Sequence, residues 1–390
     1  MLSDSTKHTI LILTGELKME VTTNKVRLLE ALKNALNIVK KAEKSNLICK
    51  HVLIEVDAES NKLVISATNF EEIYAEKIPA EINQPGSSVV NADKLFKILK
   101  KSKSQTVCLF SDDNYLSLDL GKLKTKIASL PGGKETFPNC EFYNLLPAFS
   151  VDPDEMKLIF EKTFMFIGEN EARKNLTGLH IKNLSSGKIR FQGADAFRIA
   201  DFQLPAQNDY CFDFILPKFH LQNIFKNFKD RMFFSIDRKS SGVETENQDQ
   251  RYQCRLIEAE YPNLDRLLET PHNLSTASTD DIIEAVDMME TLVDKDKNAV
   301  MKVTFNETLT FETQKTEFGD GSVSIDHDYF GEEMKMGSNI YFFNDVVKIF
   351  KGYDSLDLHF EKPENALVFT TKDLDQYNYK AVLMPARIRW

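Results

Sequence analysis

Two sequence blocks that recur at one spacing predict an α+β chain of three similar units, each with two helices packed on antiparallel strands. The first block is helical. Lys94–Lys101 sets Leu95 and the pair Ile98 and Leu99 among lysines. Roughly 125 residues further on, His220–Asn227 repeats it with Leu221, Ile224 and Phe225, and a similar step leads to Asp345–Lys351 with Val346, Ile349 and Phe350. The second block is extended. Lys62–Asn69 is matched by Lys188–Asp195, and Thr308–Phe311 supplies the third copy. Each follows a shorter alternating run, at Val52–Val56, Leu179–Ile181 and Val300–Phe305. Turn-like links at Asp57–Asn61 and Asn183–Gly187 join the first two pairs. Each unit also opens on a helical stretch: Lys25–Lys41, Pro153–Phe166 and Thr279–Val293. Three unrelated α+β stretches are the alternative, but both blocks recur at nearly one step.

Length agrees with this plan. At roughly 100–200 residues per domain, a chain of 390 residues holds two to four. The expected boundaries fall near residues 145 and 269, with Pro138, Pro147, Pro262 and Pro271 around them. Residues 1–18 then form an N-terminal extension, followed by units at 19–145, 146–268 and 269–390. Hydrophobic residues at 42% and charged residues at 28% are the balance of a soluble globular chain. No apolar run approaches the ~20 residues of a membrane helix, so no membrane partner is expected. Five cysteines, none close to another, suggest neither a disulfide framework nor a zinc site and fit a cytoplasmic chain.

The net charge of −10 argues against a protein that grips nucleic acid over its whole surface, so local charge decides. The first helix carries Lys25, Arg27, Lys33, Lys40 and Lys41 against Glu30. The second carries Lys94, Lys97, Lys100, Lys101 and Lys103 against Asp93. The fourth carries Lys218, Lys226, Lys229 and Arg231 against Asp230, and the sixth Lys348 and Lys351 beside Asp345. Lysines facing duplex phosphates attract them without reading bases. A solvated helix face is the plain alternative for any one of them. Two helices depart: the third mixes Asp154, Glu155 and Glu161 with Lys157 and Lys162, and the fifth carries Asp280, Asp281, Glu284, Asp287 and Glu290.

Catalytic machinery is not indicated, and no cofactor or metal is expected. There is no phosphate loop or nucleophile elbow, and Pro131–Lys134 reads as a turn. His327 and Asp328 beside Asp326 read as an exposed turn, not a metal site. Glu71 and Glu72, adjacent on a strand, point to opposite faces.

Four ordered segments carry a family resemblance. Leu130 and Pro131 followed by Phe137, Pro138 and Asn139 look like an LP…FPN element. Gly193–Ala200 resembles a TDGHRLA segment with Ala194, Ala196 and Phe197 in place of Thr, Gly and His. Tyr261–Leu264 is similar to FPDY, and Val382–Ile388 to a VMPMRL ending. Together they resemble the bacterial sliding clamp, the beta subunit of DNA polymerase III, over residues 19–390. The resemblance implies three clamp-type domains per chain and a homodimer that closes head to tail into a ring around duplex DNA. It implies a processivity factor in DNA replication, not an enzyme, whose partners are the replicative polymerase, the clamp loader and other proteins bearing a clamp-binding peptide. Carried over residue by residue, the peptide groove has one wall of Leu176, Ala194, Ala196, Phe197, Arg198 and Ile199. Pro262, Arg266 and Leu267 follow, Asn344 and Val347 lie below, and Val382, Leu383, Met384, Pro385, Ala386, Arg387 and Ile388 complete it. The family's DNA-contacting loop corresponds to residues 41–45, where Lys44 stands and the arginine is missing. Ala196 lacks glycine's freedom at positive φ, so its turn is expected to differ from the family's. Two competing readings stay open: an unrelated α+β protein with a small-ligand cleft, and a clamp-like scaffold that no longer holds DNA.

Overall fold

The computed structural model describes residues 16–40, 46–140, 142–205, 210–293, 299–313 and 319–387. Lys41, Lys44 and Ile388 lie outside the described residues. The chain forms two compact units, one of residues 1–154 and 222–256, the other of residues 155–221 and 257–390. Residues 146–268 contribute strands to both.

In the first unit, helices start where strands end. The strand Met19–Asn24 runs directly into α1, Lys25–Val39, because the Asn24 side chain accepts hydrogen bonds from the amides of Val26 and Arg27. The strand Ser87–Asn91 enters α2, Ala92–Lys101, in the same way, with Asn91 capping Lys94. Helix α1 buries Leu28, Ala31, Leu32, Ala35 and Leu36 at helical spacing, and α2 buries Leu95 and Leu99. That spacing leaves the lysines outward.

A twelve-stranded antiparallel sheet supports these helices. Its organising member is the long strand Glu72–Gln84. One edge pairs with Met19–Asn24 through residues 80–84 and with Gln250–Arg255 through residues 72–76; the other pairs with Lys62–Thr68. Tyr74 faces Tyr252 across that junction. Two buried carboxylates are satisfied there: Glu76 by the Tyr74 hydroxyl (2.6 Å) and Asn34 (3.2 Å), Glu72 by Asn223 (2.8 Å) and the Tyr252 hydroxyl. Glu71, as expected for its neighbour, points to solvent. Pro131–Lys134 is a turn, with Gly132 at φ +81 leading into a 3-10 turn.

The second unit holds an eight-stranded and a four-stranded sheet. In the first, Lys188–Ala194 and Arg198–Pro205 form a hairpin whose free side is taken by the C-terminal strand Lys380–Leu383. Helix α3, Pro153–Thr163, is shorter than expected and gives way to a 3-10 turn at Phe164–Phe166. Helix α4, Lys218–Asn227, follows the strand Asp213–Pro217. Helix α5, Thr279–Glu290, is capped by Ser278 and ends before the expected Val293. Helix α6 runs from Ile340 to Lys348, not from Asp345 to Lys351. Its start is set by Asn339, whose side chain accepts from the amides of Tyr341 and Phe342.

Candidate functional site

The expected groove residues of the second unit gather around a tight turn. Asp195 accepts backbone hydrogen bonds from Phe197 (3.0 Å) and Arg198 (2.8 Å), closing an Asx turn. Inside it Ala196 takes φ +82. Alanine thus does adopt positive φ here: the two bonds to Asp195 hold the backbone where glycine would sit more easily. The turn exposes Phe197 (55%) and tucks Arg198 beneath it (8%).

Arg198 is fixed from both sides. Its Nε and Nη2 donate to Asp195 at 2.9 and 2.7 Å, and its Nη1 donates to Asp345 at 2.6 Å. Its guanidinium lies 4.6 Å from the Phe342 ring and 6.0 Å from that of Phe166. Phe342 also stacks on Phe197, with centroids 5.3 Å apart. The C-terminal segment closes the other side. Ile199 pairs with Val382 and Arg198 with Leu383, and the Met384 amide donates to the Phe197 carbonyl at 2.8 Å. The Ala386 amide donates to Gly337, also at 2.8 Å.

Below lies an apolar floor of Leu176, Ala194, Ile199, Ile215, Tyr261 and Val382, with Leu264 and Leu267 packed against it. Leu383 is buried, Pro262, Met384, Pro385 and Ala386 are half-buried, and Ala196, Arg266 and Arg387 are exposed. The 3-10 turn Asp265–Leu267 is held by Arg190, which reaches Asp265 at 2.7 Å and Asp201 at 2.9 Å. Burial pushes the Asp201 carboxyl up, against the opposing pull of Arg190.

Two residues assigned to the groove belong neither to that floor nor to the recess beside the turn. Asn344 and Val347 are buried (2% and 0%). The Asn344 amide is engaged by Asp287 (2.8 Å) and Glu290 on α5. Because α6 starts at Ile340, its first two turns present Phe342 and Asp345 to Arg198 instead. The Asn339 cap was the signal for that start, and sequence reasoning passed over it. Arg173 was missed as well. With Gly168, Glu169, Asn170, Leu176, Asp195 and Phe197 it lines a recess of roughly 250 Å³ beside the turn.

The basic helix faces are less uniform than the residue types suggest. Lys33, Lys40, Lys94, Lys100, Lys101, Lys226 and Lys351 are exposed and hold no side-chain hydrogen bond or ion pair among the described residues. Arg27, Lys33, Lys226 and Lys229 border one polar recess of the first unit. Others are engaged: Lys25 with the Ser102 carbonyl (2.8 Å), Arg27 with Glu30 (3.1 Å), Lys97 with Asp93 (2.5 Å) and Lys229 with the Phe225 carbonyl (2.9 Å). Lys218 is half-buried, donating to Ile167 O (2.9 Å) and Glu169 (2.8 Å). Lys348 is paired with Asp287 at 2.7 Å. Lys218 and Lys348 are thus ion-paired within the second unit.

That last pair accounts for one carboxylate of the acidic helix. Burial works against the charge of Asp287, but the hydrogen bonds from Lys348 and Asn344 outweigh it and hold the carboxyl below its usual range. Asp280 and Asp281 occupy the first turn of α5, where the helix dipole favours them. His327 uses both ring nitrogens, on Ser275 (2.7 Å) and the Asn306 carbonyl (2.9 Å). No cluster of three metal-ligating side chains occurs among the described residues. No described helix is long and apolar enough to cross a membrane.

Comparison with known proteins gives a consistent result. Family models for the N-terminal, central and C-terminal domains of the DNA polymerase III beta subunit match residues 19–141, 150–263 and 268–387. The beta sliding clamp of Caulobacter vibrioides (strain NA1000) is 23% identical over 386 residues, 95% of this chain and 100% of that protein. That of Bacillus subtilis (strain 168) is 22% identical over 352 residues, 86% of this chain and 91% of its own. Among solved structures, the DNA polymerase III subunit beta of Pseudomonas aeruginosa superimposes with a TM-score of 0.86 at 18% identity, covering 95% of this chain and 100% of that one. The DNA polymerase sliding clamp of Bacillus subtilis does so with a TM-score of 0.86 at 19% identity and the same coverage. These structural likenesses show the fold.

Proposed function

Since the chain belongs to the DNA polymerase III beta-subunit family, the non-catalytic sliding clamps, we propose that it tethers replication proteins to duplex DNA through the groove around Asp195–Arg198. The observation that carries this reading is the convergence of three segments on Arg198. The turn, the start of α6 and the C-terminal strand meet there above an apolar floor. A preformed apolar cleft with a few fixed polar groups suits a short peptide with apolar anchors. Phe197, Phe342, Met384 and Pro385 are the contact surface, and Arg173 and Arg387 supply charge at its rim. Met384 adapts to anchors of different shape. The occupants are peptides of the replicative polymerase, the clamp loader and other proteins with a clamp-binding motif, in the cytoplasm.

Three domains, at 19–145, 146–268 and 269–390, then compose each protomer, with residues 1–18 as an extension. Two protomers join head to tail and enclose DNA. The unpaired lysines of α1, α2 and α4 supply attraction to phosphates that is independent of sequence. A scaffold that has lost its DNA was suggested by the acidic α5; the pairing of Asp287 with Lys348 of α6 accounts for part of that acidity, and membership of the clamp family favours the DNA-holding reading.

Two measurements test the proposal. Met384→Ala and Phe342→Ala are expected to weaken a clamp-binding peptide about tenfold each, by titration calorimetry, with the dimer intact. Equal affinity in all three proteins would remove the groove. The protein should stay on nicked circular DNA and leave linear DNA; free escape from circles at moderate salt would remove the ring.

A further inference from the structure

The second unit contains a buried cation that the groove itself does not use. Lys162 is the last charged residue of α3, and only 5% of it is exposed. A buried ammonium ordinarily has a carboxylate partner. This one has no carboxylate ion pair among the described residues. Its Nζ donates to the carbonyl of Ile349 at 2.6 Å and lies 4.6 Å from the centre of the Tyr353 ring. Desolvation pulls its pKa down to about 8, with the charge of Glu161 opposing.

The location of that contact gives it meaning. Ile349 follows α6 directly, at the negative end of the helix dipole; the amides of Ile349, Phe350 and Lys351 take the carbonyls of Val346, Val347 and Lys348, and Lys162 takes that of Ile349. Lys162 therefore caps α6 from another helix. The joint is reinforced from the backbone side. The Tyr379 hydroxyl donates to the Lys162 carbonyl at 3.0 Å, and the Tyr379 ring packs on Phe350 (5.6 Å) and on Phe202 (6.2 Å). Phe202 belongs to the strand Arg198–Pro205 that begins at the groove.

Helix α6 is thus held at both ends. Near its start, Asp345 meets Arg198 and Phe342 stacks on Phe197; past its end, Ile349 meets Lys162. Its nine residues rise only about 13 Å, so a shift at one end is felt at the other. We propose that Lys162 is a positioning residue for the peptide groove: by capping α6 it fixes where Phe342 and Asp345 meet Phe197 and Arg198. The inference rests on the groove reading above.

The test uses the full-length protein and a fluorescein-labelled pentapeptide with leucine and phenylalanine anchors, read by anisotropy. Lys162→Met keeps the length and removes the charge. It should weaken the peptide about tenfold while the melting temperature holds or rises, since an under-compensated buried charge is gone. Lys162→Arg should restore affinity to within about threefold. Phe342→Ala is the control for the groove. If Phe342→Ala weakens binding and Lys162→Met does not, the positioning role is overturned and the groove stands. If neither changes binding, the groove reading fails and this inference with it. If Lys162→Met loses affinity and melting temperature together, and arginine restores neither, the role is merely structural and the proposal is overturned. Should the methionine variant not fold, Tyr353→Leu replaces it. A loss of about threefold is expected there, and unchanged affinity overturns the proposal.

Discussion

Ala196 sits at φ +82, a conformation that costs an L-residue with a Cβ roughly 1–2 kcal/mol. The turn keeps it because Asp195 binds two amides and Arg198 is locked to both Asp195 and Asp345. Replacing Ala196 with glycine relieves the strain but frees the unfolded chain. The net expected gain is about 0.5–1 kcal/mol in urea unfolding, with peptide affinity unchanged. A loss of stability would mean that the strain is not local. The residue pattern showed that this site departed from its family, but not the direction: the hydrogen bonds that tolerate the departure come from side chains that sequence does not orient. Lys162 gives a second prediction, with the opposite sign to a salt-bridged lysine. Its pKa lies near about 8, below the ordinary lysine value of about 10.4. Between those values the unfolded chain holds the extra proton, so stability rises with pH across the window, and the penalty is complete below it. Lys162→Met should therefore be more stable than the wild type at pH 7.5, by at most about 3 kcal/mol. The gap should narrow by pH 9.5; a gap independent of pH would show the ammonium to be fully compensated.

The pairing of α5 with α6 shows why charge must be read between elements and not along one. Taken alone, α5 is acidic and α6 basic, and sequence suggested one helix that repels phosphate and one that attracts it. Packed together, Asp287 meets Lys348 and Asn344, and Asn344 meets Glu290. Asp287→Asn should free the Lys348 ammonium. A loss of about 0.5–1 kcal/mol of stability is expected, together with a slower escape from DNA circles at low salt. Faster escape would mean that Lys348 does not face the duplex. Repeated periodicity made the helices and strands themselves legible, because their buried faces recur at fixed steps: Leu95 and Leu99 are buried as the pattern required, and the run Val300–Phe305 is a strand over its whole length. Helix starts were less legible. Asn24, Asn91, Ser278 and Asn339 all cap helices that follow strands directly. Reading α6 from its apolar pairs instead of from Asn339 left out its first turn, and with it Phe342, which stacks on Phe197.

Across the whole molecule, a head-to-tail dimer needs two unlike surfaces that complete each other. The sheets offer a pair of candidates among the described strands. Lys124–Ala128 pairs on one side only, with Tyr115–Asp119; Ser322–Ile325 pairs on one side only, with Leu309–Thr313. Unpaired edges are templates for further pairing. Their charges are opposite: Lys122, Lys124 and Lys126 attend the first, Asp320, Asp326 and Asp328 the second. Lys124 shares its charge with Asp119 (3.0 Å), and Lys126 lies over the Tyr115 ring (5.1 Å), which keeps both near the edge. Joining these edges would satisfy a row of backbone groups while the flanking charges set direction, since like edges would repel. The dimer should then loosen as salt rises from about 0.05 to 0.5 M, as screening shortens the reach of those charges. In sedimentation velocity, Lys124→Glu with Lys126→Glu should shift the protein toward monomer. Combining it with Asp320→Lys and Asp326→Lys should bring part of the dimer back, because the exchanged charges again face opposite signs. A double-glutamate variant that dimerises as tightly as the wild type at low salt would rule out these edges, and the closing contact would have to lie elsewhere on the protomer.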